Sequence, residues 1–71
     1  MTDRLAATIR RLRKNCGLTQ KELAARVGVT AQAVSKWERG DACPDIFLLP
    51  TLASIFGVSI DEIMGYGGRN K

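Results

Sequence analysis

Histidine is absent from this chain, cysteine occurs only twice, and proline and aromatic residues are few. Each scarcity excludes something. Without histidine the commonest side-chain acid–base group and metal ligand is missing. Two thiols alone cannot complete a tetrahedral zinc site, and Cys16 and Cys43 are too few for a disulfide scaffold in 71 residues. Both fall at expected turns and read as reduced thiols. A redox-sensing pair is the alternative, and it requires the two sulfurs to meet in bonding geometry. Catalytic carboxylate pairs are lacking outside Asp61-Glu62, as is a phosphate-binding loop. The chain is therefore expected to be no enzyme and to need no metal or cofactor. No apolar run approaches the roughly 18 residues of a membrane span. The N-terminal MTDRLAATIRRLRK lacks the apolar centre of a secretory signal. The expectation is a cytoplasmic protein with no membrane partner and no evident small-molecule ligand.

Positive charge is present, and it is uneven. Residues 1–40 carry nine Lys/Arg against three Asp/Glu, a balance of +6, whereas residues 41–71 carry two against four, a balance of −2. A basic half beside a mildly acidic half suggests one face for a polyanion and another for a different contact. Size limits the rest. A chain this short forms one small domain and buries only about 60% of the surface that its unfolded state exposes.

Strand-like alternation of period two is missing, and helical spacing recurs. Leu5, Ile9 and Leu12 share one face of a helix expected over about Asp3 to Asn15, with Gly17 as its stop. Thr19 and Glu22 form a capping-box pattern that opens a second helix, which carries Leu23 and Val27 and ends at Gly28. Thr30 caps a third helix that runs to about Arg39, with Val34 and Trp37 on its buried side. Residues 40–45 read as a loop. A fourth helix covers roughly Leu48 to Phe56, with Pro50 confined to its first turn, since an interior proline costs about 3 kcal/mol. Ser59 and Glu62 repeat the capping box and start a fifth, Ile60 to Met64. The chain thus reads as an all-α, compact five-helix bundle: one domain over residues 1–66 and a flexible tail over 67–71.

The segment Gln20–Arg39, QKELAARVGVTAQAVSKWER, has the requirements of a helix-turn-helix. Two helices that cross closely need a small residue at the crossing, and Ala24 supplies it. A reversal in very few residues favours glycine, and Gly28 stands four positions later. Leu23, Val27, Val29, Val34 and Trp37 provide the apolar contacts. The outer stripe of the third helix holds Ala31, Gln32, Ser35, Lys36 and Arg39, uninterrupted by a large apolar side chain. A helix that enters the major groove needs this pattern: small residues for close approach, an amide that can bond adenine and a cation that can reach guanine. Ala31 and Ala33 can meet thymine methyl groups. Gln20, Lys21, Thr30, Ser35, Arg39, Arg10 and Arg11 are candidates for phosphate contacts.

The strings GLTQKELAARVGVTAQAVSKWERG and PDIFLLPTLASIFGVSIDEIM resemble the Xre/Cro-repressor, or lambda-repressor-like, DNA-binding domains over roughly residues 4–66. That resemblance implies a five-helix bundle whose third helix reads DNA. It implies a phosphate contact at Gln20, base-edge contacts from Ala31, Gln32, Ala33 and Lys36, and backbone proximity for Thr30 and Arg39. It also implies a structural salt bridge between Arg13 and Glu38. The alanines at 31 and 33 depart from the polar readers that many relatives carry, so sequence discrimination rests more on Gln32, Lys36, thymine methyls and DNA shape.

The expected function is a sequence-specific, double-stranded-DNA-binding transcriptional regulator, a repressor by preference, acting as a homodimer on a palindromic operator. Ile60, Ile63, Met64 and Tyr66 are the expected dimer surface, because so small a core cannot absorb them all. The alternative is a protein-interaction module or antitoxin-type partner that keeps the fold with weak or no DNA binding.

Overall fold

The computed structural model describes the backbone of residues 2–65 and the side chains of residues 4–65. Among them the elements run α1 (Thr2–Asn15), α2 (Gln20–Val27), α3 (Ala31–Arg39), a 3-10 turn (Ile46–Leu48), α4 (Leu49–Phe56) and α5 (Ile60–Met64). The fold is all-helical. The expected tail over 67–71 and Tyr66 lie outside the described residues.

The helix starts follow the local chemistry. Thr19 and Ser59 each accept a bond from the backbone N–H of the glutamate three residues on, and each glutamate reaches back to the cap's own N–H. Two orphan donors are satisfied at each start. Thr30 caps α3 by accepting from the N–H of Ala33. Pro50 sits in the first turn of α4, where its missing N–H removes no intrahelical bond. The reversal between α2 and α3 turns on Gly28, at φ 92° and ψ 31°. No neighbour would obstruct a side chain there, so what favours glycine is the left-handed backbone and not space.

One core lies between the helices. Ile9, Leu23, Val34, Leu52 and Ile63 are its fully buried centre, with Leu12, Trp37, Leu49 and Phe56 around them. Ala24 is buried where α2 meets α3, small enough for the two to approach. The third helix packs on both α1 and α2, and α5 closes against α1 and α4. This last contact corrects one expectation. Ile63 has 0% exposure and belongs to the core, so it offers nothing to a partner chain. Short as α5 is, it points Ile63 inward, while Met64 is half-buried against the core and Ile60 is 39% exposed. No helix among the described residues is long and apolar enough to cross a membrane.

Candidate nucleic-acid interface

The surface of α3 is built by the two elements beneath it. Val34 and Trp37 anchor the helix in the core, and this rotates Ala31, Gln32 and Lys36 outward to the exposed surface. Thr30 and the open N-terminal turn stand at one end. The Thr30 hydroxyl oxygen is occupied as an acceptor by the N–H of Ala33, which leaves its O–H free to donate. Gln32, Ser35, Lys36 and Arg39 line a shallow depression of about 310 Å³ along this face. Ala33 departs from the expected pattern: it is half-buried and packed against the core, so its methyl group is only partly available at the surface.

Arg39 is not a loose cation. Its Nε donates to Asp41 Oδ2 at 2.9 Å, and its Nη1 donates to Ser35 Oγ at 2.9 Å. Ser35 is thereby committed as an acceptor and remains half-buried. The guanidinium is held along the end of α3, beside the depression that Gln32 and Lys36 line.

Behind the exposed stripe a polar clamp fixes its position. Arg13 Nε donates to Glu38 Oε2 at 2.6 Å and Arg13 Nη2 donates to Glu38 Oε1 at 3.0 Å, a two-pronged pair from α1 to α3. Arg13 Nη1 donates to the carbonyl of Leu18 at 2.8 Å, which ties in the segment before α2. Gln20 Nε2 donates to Glu38 Oε1 at 3.0 Å, so one carboxylate joins α1, α2 and α3. The side chains of Arg13 and Glu38 are 11% and 4% exposed. Burial pushes the Glu38 carboxyl pKa up, but hydrogen bonds from Arg13 and Gln20 and the charges of Arg13 and Arg10 outweigh it and hold it below the usual value. The same hydrogen bond to Glu38 raises Arg13 against its own desolvation. The pair is charged at neutral pH, as a fixed clamp requires.

This clamp changes how Gln20 is read. Its amide is oriented by Glu38 and keeps one N–H for an outside acceptor. Lys21, Arg10 and Arg11 are exposed, with room to meet phosphates. Cys16 and Cys43 are exposed free thiols.

Two residues escaped the sequence reading. Ile46 is 71% and Phe47 is 85% exposed, the most open large apolar side chains described. They stand in the 3-10 turn, whose start Asp45 caps by accepting from the Phe47 N–H at 2.9 Å. An apolar run such as IFLL gives no period that says which members stay out. The only available signal was Asp45 ahead of it, a residue prone to bond a backbone N–H two positions on.

Comparison with known proteins gives the arrangement its context. A match to the helix-turn-helix family spans residues 9–63, most of the chain. The chain belongs to the helix-turn-helix family of the Xre and lambda-repressor type. It is 39% identical over 64 residues to the HTH-type transcriptional regulator y4dJ of Sinorhizobium fredii, covering 90% of this chain and 83% of that protein. It is 38% identical over 56 residues to the HTH-type transcriptional activator BcrR of Enterococcus faecalis. That alignment takes in 79% of this chain but only 28% of BcrR, so the chain spans little more than a quarter of that relative's length. The structure is similar to that of the P22 c2 repressor, solved in complex with a synthetic operator, with a TM-score of 0.81 and 31% identity over 87% of this chain and 94% of that one. This helix-turn-helix domain is accordingly a DNA-binding regulator in class.

Proposed function

We propose that this helix-turn-helix domain is a sequence-specific, double-stranded-DNA-binding transcriptional repressor that places α3 in the major groove. The observation that carries the reading is the outward stripe of Ala31, Gln32 and Lys36, set on a helix clamped from behind through Glu38. Gln32 suits the paired donor and acceptor of adenine, Lys36 suits guanine, and Ala31 with the partly covered Ala33 suits thymine methyls. Thr30 through its free O–H, Gln20 through its second amide N–H, and Lys21, Ser35, Arg39 and Arg10 at the margins would hold phosphates and set the register.

Two copies on a palindromic operator complete the proposal. A single α3 reaches too few base pairs for selectivity, and paired half-sites stand about 34–36 Å apart, one helical turn of DNA. With Ile63 in the core, the large apolar side chains left for a second copy among the described residues are Ile46, Phe47 and Ile60, with Met64 at the edge. Such a protein acts in the cytoplasm and without catalysis.

The exposure of Phe47 equally suits a second reading, a protein-interaction module that has kept the fold and lost DNA binding. Selection of bound sites from a random duplex library separates the two. The regulator yields an enriched motif with two-fold symmetry, and its binding weakens steeply as salt rises through counterion release. No enrichment, or binding indifferent to salt, supports the interaction module.

A further inference from the structure

The cations of α1 form a second feature, distinct from the stripe on α3. Arg10, Arg11 and Lys14 stand on one side of a groove of about 380 Å³, with Glu38 and Arg39 of α3 on the other and Ala6 and Ala7 along α1. The two alanines leave the groove open where longer side chains would fill it. Arg39 is already paired with Asp41, and the one carboxylate of the groove is spent: both Glu38 oxygens accept from Arg13, and one accepts from Gln20 as well, so three lining cations remain without a counter-charge. Among the described residues Arg10, Arg11 and Lys14 have no ion pair. Like charges gathered around a concave surface repel one another unless an anion enters.

We infer that this α1–α3 groove is a phosphate seat, shaped for two or more phosphates of one polyanion. Arg39 lines both this groove and the depression along Gln32 and Lys36, so a backbone lying across the α3 stripe continues into it. The phosphates come either from duplex flanking the operator or from a free polyphosphate such as a nucleoside triphosphate. The inference about flanking duplex rests on the DNA-binding reading; the seat itself does not.

The test uses the full chain and its Arg11→Gln/Lys14→Gln variant. Both positions are exposed and lie outside the Arg13–Glu38 clamp, and unchanged circular dichroism confirms the fold. In one arm, affinity for the selected operator is measured against salt on a short duplex and on one extended at both ends. If the flank is the source, the variant lowers the salt slope on the extended duplex by about 2, leaves base preference unchanged, and loses the affinity gained from the extension. In the other arm, inorganic triphosphate is titrated while backbone amide resonances are followed. If a free polyphosphate is the source, saturable shifts appear at residues 10–14 and 39 of the parent and vanish in the variant. A second variant, Ala7→Glu, puts a carboxylate beside the groove and reproduces whichever loss is seen. A parent that binds no duplex but keeps the triphosphate shifts sinks the DNA reading and leaves the seat standing. A parent that binds its operator, with both arms indifferent to both variants, overturns the seat and leaves the DNA reading intact.

Discussion

The two halves of this domain are held together by different physics. Residues 1–40 carry the net charge of +6, and their three helices converge on a buried carboxylate as well as on Leu23, Val34 and Trp37. Residues 41–65 hold no buried ion pair among those described, only Asp41 meeting Arg39 at the surface; α4 and α5 are fixed by Leu49, Leu52, Phe56 and Ile63 and by a capping box at Ser59. Apolar packing tolerates small rotations, since a methyl group contacts its neighbours from many angles. A two-pronged guanidinium–carboxylate pair does not. On the proposed reading, the half that presents side chains to DNA is the half fixed by directional bonds.

The comparison breaks most sharply at Glu38. Glu38→Ala leaves the Arg13 guanidinium buried without its partner and is expected to cost about 3–5 kcal/mol, read from urea unfolding. Replacing both partners by apolar residues of similar volume is expected to cost clearly less than that single change. Acid probes the same bond. Because the folded Glu38 carboxyl titrates below its unfolded value of about 4.3, its stabilisation is full at pH well above that unfolded value and drains away only as pH falls past it and through the folded value. Glu38→Gln flattens that acid limb; an unchanged limb would show the clamp carries no such weight.

Ile63→Ala attacks the other half and is expected to cost about 2–5 kcal/mol, through lost burial and the cavity left between α5 and its neighbours α1 and α4. A loss under half a kilocalorie would return Ile63 to the surface. The next effect is on binding alone. Gln32→Ala and Lys36→Ala should each weaken specific binding by about 1–3 kcal/mol without altering the unfolding midpoint. Parent-like affinity for the selected operator in both variants would remove them as readers. Smallest is Phe47→Ser. Its effect on monomer stability should stay within about 0.5 kcal/mol, as for most exposed positions. It should also lower the self-association measured by sedimentation; unchanged association would direct the dimer surface elsewhere.

Much of this architecture was legible in the sequence because its punctuation is local. Thr19 with Glu22, Ser59 with Glu62, Gly28 and Pro50 each act within a few residues, so they mark the same boundaries in a string and in a fold. The outward face of α3 was legible for a related reason: Val34 and Trp37 fix its rotation three residues apart. What escaped depends on distance. Ile63 was expected outside because the core looked too small, yet α1 and α4 leave it a place. Ala33 lies at the edge of the stripe, where rotation by a fraction of a turn decides its exposure. Gln20 reads as a free amide until Glu38, eighteen residues away, is seen to hold it. The 3-10 turn that exposes Phe47 has no period of its own to announce it.

The clamp also bears on portability. The segment over residues 20–39 contains both helices of the motif but not Arg13, which reaches Glu38 from α1. A graft of that segment into another scaffold would carry the carboxylate and leave its counter-charge behind. The transplantable cassette therefore begins at Arg13, two residues before the end of α1, or further back, and a chimera spliced at the start of α2 needs an arginine engineered into the recipient at the matching height.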